Sequence, residues 1–163
     1  MSKRGSFQIA IRGMRPSPSA NERREVAWRH KIAEEIAKRV NRPLNVPADT
    51  QFELRITFYI ESAQLFRAGD LDNLAKPVLD TLFQQSRPTE LPTARLFTVD
   101  DGYVTSLQPA KHGVKKSSDE GADIHLKWSP QGEADEGCGW GSCGCMLLVL
   151  IALAFFLAAI LFV

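Results

Sequence analysis

Residues 51–60 read QFELRITFYI, in which Phe52, Leu54, Ile56 and Phe58 alternate with Glu53, Arg55 and Thr57. This is the pattern of a strand with one buried face, because successive side chains of an extended chain point to opposite sides. N-terminal to it, Val26, Ala33, Ile36, Ala37 and Val40 keep helical spacing amid many charges, with Asn21 or Ser19 able to cap the start and Pro43 stopping the end. An amphipathic helix of about five turns is expected there. Earlier still, FQIAIR at residues 7–12 alternates as a strand does and ends at Gly13, before the turn-rich MRPSPSAN. On the C-terminal side, Leu71, Leu74, Val78, Leu79, Leu82 and Phe83 mark a second helix over residues 71–83, and residues 103–107 and 122–128 read as two further strands. The order β-α-β-α-β-β implies an α/β fold, one mixed sheet with helices packed on it.

The 163 residues leave room for one such domain and an appendage, and 18 of them form the unbroken apolar run 146–163. At about 1.5 Å rise per residue that run makes a helix close in length to the roughly 30 Å hydrocarbon core of a bilayer. It carries no charge, Pro or Gly, and a buried core helix would have kept a polar face over five turns. A single C-terminal transmembrane helix is therefore expected. All 20 Lys and Arg precede it, so the positive-inside rule puts the domain in the cytoplasm, anchored to the membrane by its tail. Residues 1–128 are the expected domain and residues 129–145, SPQGEADEGCGWGSCGC, a Gly/Cys-rich linker. Cys138, Cys143 and Cys145 are the only cysteines. They exclude a disulfide-stapled scaffold and lack the paired spacing of a zinc site, which leaves acylation next to the membrane or inert thiols. The N-terminus has no apolar segment of the secretory kind.

Charge is divided along the chain. Residues 1–42 hold eleven Lys and Arg against four Glu, whereas residues 43–110 hold nine Asp and Glu against five Arg and Lys. A polyanionic partner is compatible with the first segment but is not required by it.

The chemistry concentrates in GDLDNLAKP at residues 69–77 and VDDG at residues 99–102. Asp70 and Asp72 fall where a loop enters a helix, so their carboxylates can converge; Lys76 follows Asp72 by four on the same face, and Asp80 continues that line. Converging carboxylates beside a lysine make a hard oxygen site for Mg²⁺, or for Mn²⁺, next to a cation suited to phosphate. Neither stretch has His or Cys, which disfavours zinc; His30, His112 and His125 form no cluster. The competing explanation is that an aspartate at a helix start caps free N–H groups. A cap accounts for one aspartate and not for two carboxylates, an Asn, a Lys and a distant Asp-Asp. Pro77 fits if the helix starts near Asn73, so that it lies in the first turn.

These residues resemble the RusA-type Holliday junction resolvases, the crossover junction endodeoxyribonucleases. The resemblance rests on D-L-D-N-L-x-K-x-x-x-D-x-L at residues 70–82 and D-D-x-x-V at residues 100–104, followed by Lys111, and extends over residues 7–128. It implies that Asp70, Asp72 and Asp101 are metal-binding carboxylates, with Asp100 a secondary candidate, that Lys76 is the catalytic lysine, Asp72 acting with it, and that a homodimer uses Mg²⁺ to nick a four-way junction in pairs. Asp80 matches a family position too and is expected to be structural, pairing with Lys76. The chain departs from the family pattern in the membrane span and in a long connection between Asp80 and Asp100, where residues 84–95 look inserted.

DNA contact is expected from Arg12, Arg15, Lys115 and Lys116, placed on loops or strand ends, and Lys111 is expected on the same later loop. Many other basic residues interleave with Glu22, Glu25, Glu34 and Glu35 and can pair within the helix. The function so indicated is a Mg²⁺-dependent endodeoxyribonuclease acting on Holliday junctions or other branched DNA in recombination and repair. The alternative is a catalytically inactive, membrane-tethered module that binds DNA or protein.

Overall fold

In a computed structural model, residues 4–19, 22–83 and 96–131 are described. The expected order is found: β1 (Gly5–Arg12), α1 (Glu22–Ala37), β2 (Thr50–Glu61), a 3₁₀ turn (Ser62–Arg67), α2 (Leu71–Leu82), a 3₁₀ turn (Asp101–Tyr103), β3 (Val104–Val114) and β4 (Gly121–Pro130). The four strands form one mixed sheet in the order β1-β4-β2-β3. β4 runs antiparallel to both β1 and β2, and β2 pairs in parallel with β3. A parallel pair needs a crossover, which α2 provides. The expected tail helix over residues 146–163, the linker beyond Gln131 and the insertion at residues 84–95 lie outside the described residues. Among the described residues no helix is long and apolar enough to cross a membrane.

The core lies between one face of the sheet and the two helices. Phe52, Leu54, Ile56, Phe58 and Ile60 of β2 are all buried, as the alternation demands. Ile9 and Ile11 of β1 join them, with Ala122, Ile124 and Leu126 of β4. Phe52, Phe83, Phe97 and Trp128 close one end as an aromatic cluster with centroids 4.8–5.6 Å apart.

Four expectations are corrected by the structure. The apolar stripe of α1 is Trp28, Ile32 and Ile36, spaced i, i+4, i+8, while Val26 and Ala37 face solvent. The helix also stops at Ala37, a turn early, and Arg39 leaves it to donate to the Gln8 carbonyl on the free edge of β1. β3 runs seven residues past Leu107, through Pro109 to its end at Val114. It is an edge strand, where the missing N–H of Pro109 breaks no ladder bond on the side away from β2. Pro77 is not in the first turn, because α2 begins at Leu71; it is the seventh helical residue. The carbonyl it cannot reach, that of Asn73, accepts instead from the backbone N–H of Ser19 at 3.1 Å.

Candidate functional site

The acidic motif enters α2 through a glycine. Gly69 has φ +91, a conformation L side chains rarely adopt, and a Cβ there would lie 3.3 Å from the Pro18 side chain. Its carbonyl accepts from Lys111 Nζ at 2.9 Å. Lys111 thus belongs to β3 and fastens the motif from the neighbouring strand, and does not sit on a later loop as expected.

Asp70 occupies the N-cap position with extended dihedrals, yet its side chain makes no capping hydrogen bond. The capping explanation for this carboxylate therefore finds no support. Asp72, in the first turn, is exposed, and among the described residues neither carboxylate is held by a hydrogen bond or an ion pair.

Lys76 ties the helix to the turn before β3. Its Nζ lies 2.7 Å from Asp80 Oδ1 and 3.7 Å from Asp101 Oδ2. The pairing with Asp80 is the expected structural one. Together these contacts hold the ammonium above the ordinary lysine range, chiefly through the Asp80 hydrogen bond, so it stays charged at neutral pH. Asp101 is half-buried, and its carboxyl is pushed up. Burial is the first cause; Lys76 opposes it, and Asp100 and Asp80 add to it. Asp100 caps the turn, its Oδ1 accepting from the Gly102 N–H at 2.9 Å. The secondary metal candidate thus has a structural task of its own.

The structure brings Lys76, Asp80, Asp100 and Asp101 together. Asp70 and Asp72 stand at the start of the same helix, and among the described residues no three His, Cys, Asp or Glu side chains converge to hold a metal ion. In donor chemistry the residues fit a hard divalent cation. Every candidate donor is a carboxylate oxygen, the two on α2 are uncommitted, and Asp101 sits among like charges that a cation would relieve.

The expected DNA contacts divide. Lys115 and Lys116 are exposed just past the end of β3. Arg12 and Arg15 are engaged within the fold. Arg12 bonds the Ile11 and Ala122 carbonyls, pairs with Asp123 at 2.7 Å and lies over the Tyr59 ring, whose hydroxyl donates to Asp123 at 2.8 Å. Arg15 Nε lies 2.8 Å from Oε1 of Glu120, a carboxylate only 4% exposed that also accepts from the Glu61 N–H. Burying that carboxylate without Arg15 would leave a costly unpaired charge.

Sequence reading passed over the 3₁₀ turn ahead of the motif. Phe66 in it is 96% exposed and Arg67 follows. An aromatic beside an arginine three residues before an acidic motif was the available signal. Glu120 carried none, since nothing in its neighbourhood marks it as buried. No protein-family model matches the chain, and no curated protein matches it either, so residues and geometry carry the functional reading.

Proposed function

We propose that the chain is a Mg²⁺-dependent, structure-selective endodeoxyribonuclease resolving Holliday junctions or other branched DNA, a member of the RusA-type class it resembles. The observation that carries the reading is the uncapped Asp70 at the mouth of α2, followed by exposed Asp72 and by a lysine held toward Asp101. Asp70, Asp72 and Asp101 would hold the cation. When bound, it polarises a phosphate oxygen and lowers the pKa of water. Lys76, kept protonated by Asp80, supplies fixed positive charge for the developing phosphorane oxygens. Lys111 holds the Gly69 carbonyl and so sets where Asp70 stands. Lys115 and Lys116 bind phosphates without reading bases. Two copies acting as a homodimer would cut the junction in pairs, and residues 146–163 would anchor the domain on the cytoplasmic side of a membrane.

A second reading, an inactive tethered module, draws on the fact that among the described residues no three carboxylates converge. The full-length chain in detergent is to be tested on a synthetic four-way junction and a linear duplex, with and without Mg²⁺, beside Asp72→Asn. Paired, Mg²⁺-dependent cuts at the junction, lost in the variant, are expected. Binding without cutting by the wild type selects the inactive module.

A further inference from the structure

The 3₁₀ turn Ser62–Arg67 is tied to β3 at both of its ends. Where it begins, Ser62 Oγ donates to the Val114 carbonyl at 3.1 Å, and the two segments approach so closely that a Cβ on Gly113 would meet that Oγ at 2.8 Å. Just past its end, the Gly69 carbonyl accepts from Lys111 Nζ at 2.9 Å. Between these ties Leu65 and Ala68 pack against the core. Phe66 lies between them in sequence and is 96% exposed, whereas Val26, Tyr103 and Leu107, the other exposed large apolar side chains among the described residues, are 39–43% exposed. The ring is thus held out to solvent by an anchored turn whose apolar neighbours face inward on either side.

Its surroundings point to one kind of partner. Arg67 is exposed beside it, and the turn runs from the end of β3, where exposed Lys115 and Lys116 follow, to the exposed carboxylates of Asp70 and Asp72. Cations at either end of the turn suit a polyanion. Apart from Phe66 the exposed residues of the turn are Ser62, Ala63 and Arg67, so the turn presents no apolar patch of the size that a protein partner or a membrane surface would cover. A single aromatic face among cations fits a flat group carried on an anionic chain, which is a nucleobase on its backbone. The Cα atoms of Phe66 and Asp70, four residues apart, are at most about 14 Å from each other. That is about four steps of about 3.4 Å along a strand. In a linear duplex the bases are stacked inside and offer no free face, but in a single strand or at a branch point they do.

We propose that Phe66 stacks on an unpaired nucleobase, with Arg67 on a neighbouring phosphate, and that this contact favours branched or single-stranded DNA over linear duplex. That the strand so held is the one cut at Asp70 and Asp72 rests on the nuclease reading; the stacking contact itself does not.

The test is fluorescence anisotropy of the full-length chain in detergent and EDTA, where cleavage plays no part. Three labelled probes are used: a single-stranded oligothymidylate, the same strand with abasic sites in place of its bases, and a linear duplex. Phe66→Ala removes the ring, Phe66→Leu keeps only apolar bulk and Phe66→Trp keeps an aromatic face. Because the ring is exposed, all three are expected to melt as the wild type does. On oligothymidylate, Phe66→Ala and Phe66→Leu should lose about fivefold or more in affinity, while Phe66→Trp binds at least as well as the wild type. On the abasic strand and the duplex the four proteins should bind alike. The slope of log affinity against log salt on the single strand should be unchanged in the Phe66 variants and shallower by about 0.7 in Arg67→Gln. Equal affinity of Phe66→Ala and wild type for oligothymidylate overturns the stacking contact. So does a loss that persists on the abasic strand or the duplex, and so does a wild type that binds no single strand. Unchanged DNA binding with a smaller sedimentation coefficient in Phe66→Ala gives the ring to a second copy of the chain instead. The nuclease reading is decided separately, by junction cleavage with Mg²⁺. A wild type that cuts nothing but shows the base-dependent loss in EDTA sinks that reading and leaves the stacking contact standing, and a Phe66→Ala protein that cuts a junction and binds oligothymidylate as the wild type does has the reverse effect.

Discussion

The backbone N–H of Ser19 donates to the carbonyl of Asn73 at 3.1 Å, filling the acceptor that Pro77 has no N–H to reach. A proline in the seventh position of a helix costs about 3 kcal/mol when the freed carbonyl finds nothing. Here the loop after β1 supplies the donor, and in doing so it is fastened across the start of α2. One irregularity thus joins the turn-rich loop after β1 to the acidic motif.

Gly69 is the other joint of that assembly. At φ +91, with Pro18 at 3.3 Å from an added Cβ, Gly69→Ala carries both backbone strain and a tight contact. A destabilisation of about 1–3 kcal/mol is expected, together with loss of metal-dependent cleavage, since Asp70 is the next residue. Urea unfolding beside a junction-cleavage assay measures both. Wild-type stability in the variant would show that the left-handed conformation is not needed.

Asp101 should reveal a conflict between stability and function. Its folded-state carboxyl is raised, so the folded chain takes up this proton more readily than the unfolded one. The stability that follows is full below the unfolded value of about 3.9 and is lost as pH rises through the folded one. At neutral pH the charged group is a net cost. Asp101→Asn is therefore expected to melt slightly higher than wild type in EDTA at pH 7, by less than about 1 kcal/mol because the group is partly exposed. The difference should vanish in acid, while cleavage is abolished. A variant that melts lower at pH 7 would mean that the contact with Lys76 outweighs the crowding.

How much of this was legible in the sequence depends on period and range. The strand at residues 51–60 is long and strictly alternating, and its boundaries moved by one residue at each end. Helix α1 was legible as a helix, but Trp28 and Ile32 were missed as its buried face because small alanines at other positions matched the same period. Local pattern also ends at Pro109, which argues against a strand unless the strand is known to be an edge. In the candidate site, the placement of Asp70, Asp72 and Lys76 over the first turns of one helix was legible because their spacing fixes it. The ion pair of Arg15 was not legible, since its partner Glu120 lies 105 residues away and only the fold brings them together.

Lys76 and Asp80 should separate by role. Lys76→Ala removes the charge proposed to face the phosphate and is expected to lower kcat by about 10²–10³-fold, the size seen when one preorganised electrostatic contact is lost. Asp80→Asn leaves the ammonium in place but loosens it from its 2.7 Å partner. A loss of about tenfold in kcat with little change in KM is expected. Single-turnover cleavage resolves the two, and equal losses would make Asp80 part of the reacting centre.

Arg15 offers the sharpest choice between fold and DNA. If it served DNA alone, Arg15→Gln would lower affinity and leave stability within about 0.5 kcal/mol, as surface changes do. Its guanidinium, however, is the charge partner of a carboxylate that is almost fully buried and that also holds the Glu61 backbone. Removing one partner of such a pair leaves the other unsatisfied, at a cost of about 1–3 kcal/mol. Arg15→Gln is expected to be destabilised by that amount, and the double variant Arg15→Gln/Glu120→Gln to recover part of it, because two neutral amides leave no buried charge. Lys115→Gln and Lys116→Gln, exposed past the end of β3, should do the reverse: unchanged melting, and a salt slope for DNA binding lower by about one for each. Chemical unfolding and salt-dependent anisotropy on the four variants decide the matter. A stable Arg15→Gln with weakened DNA binding would place Arg15 among the phosphate contacts.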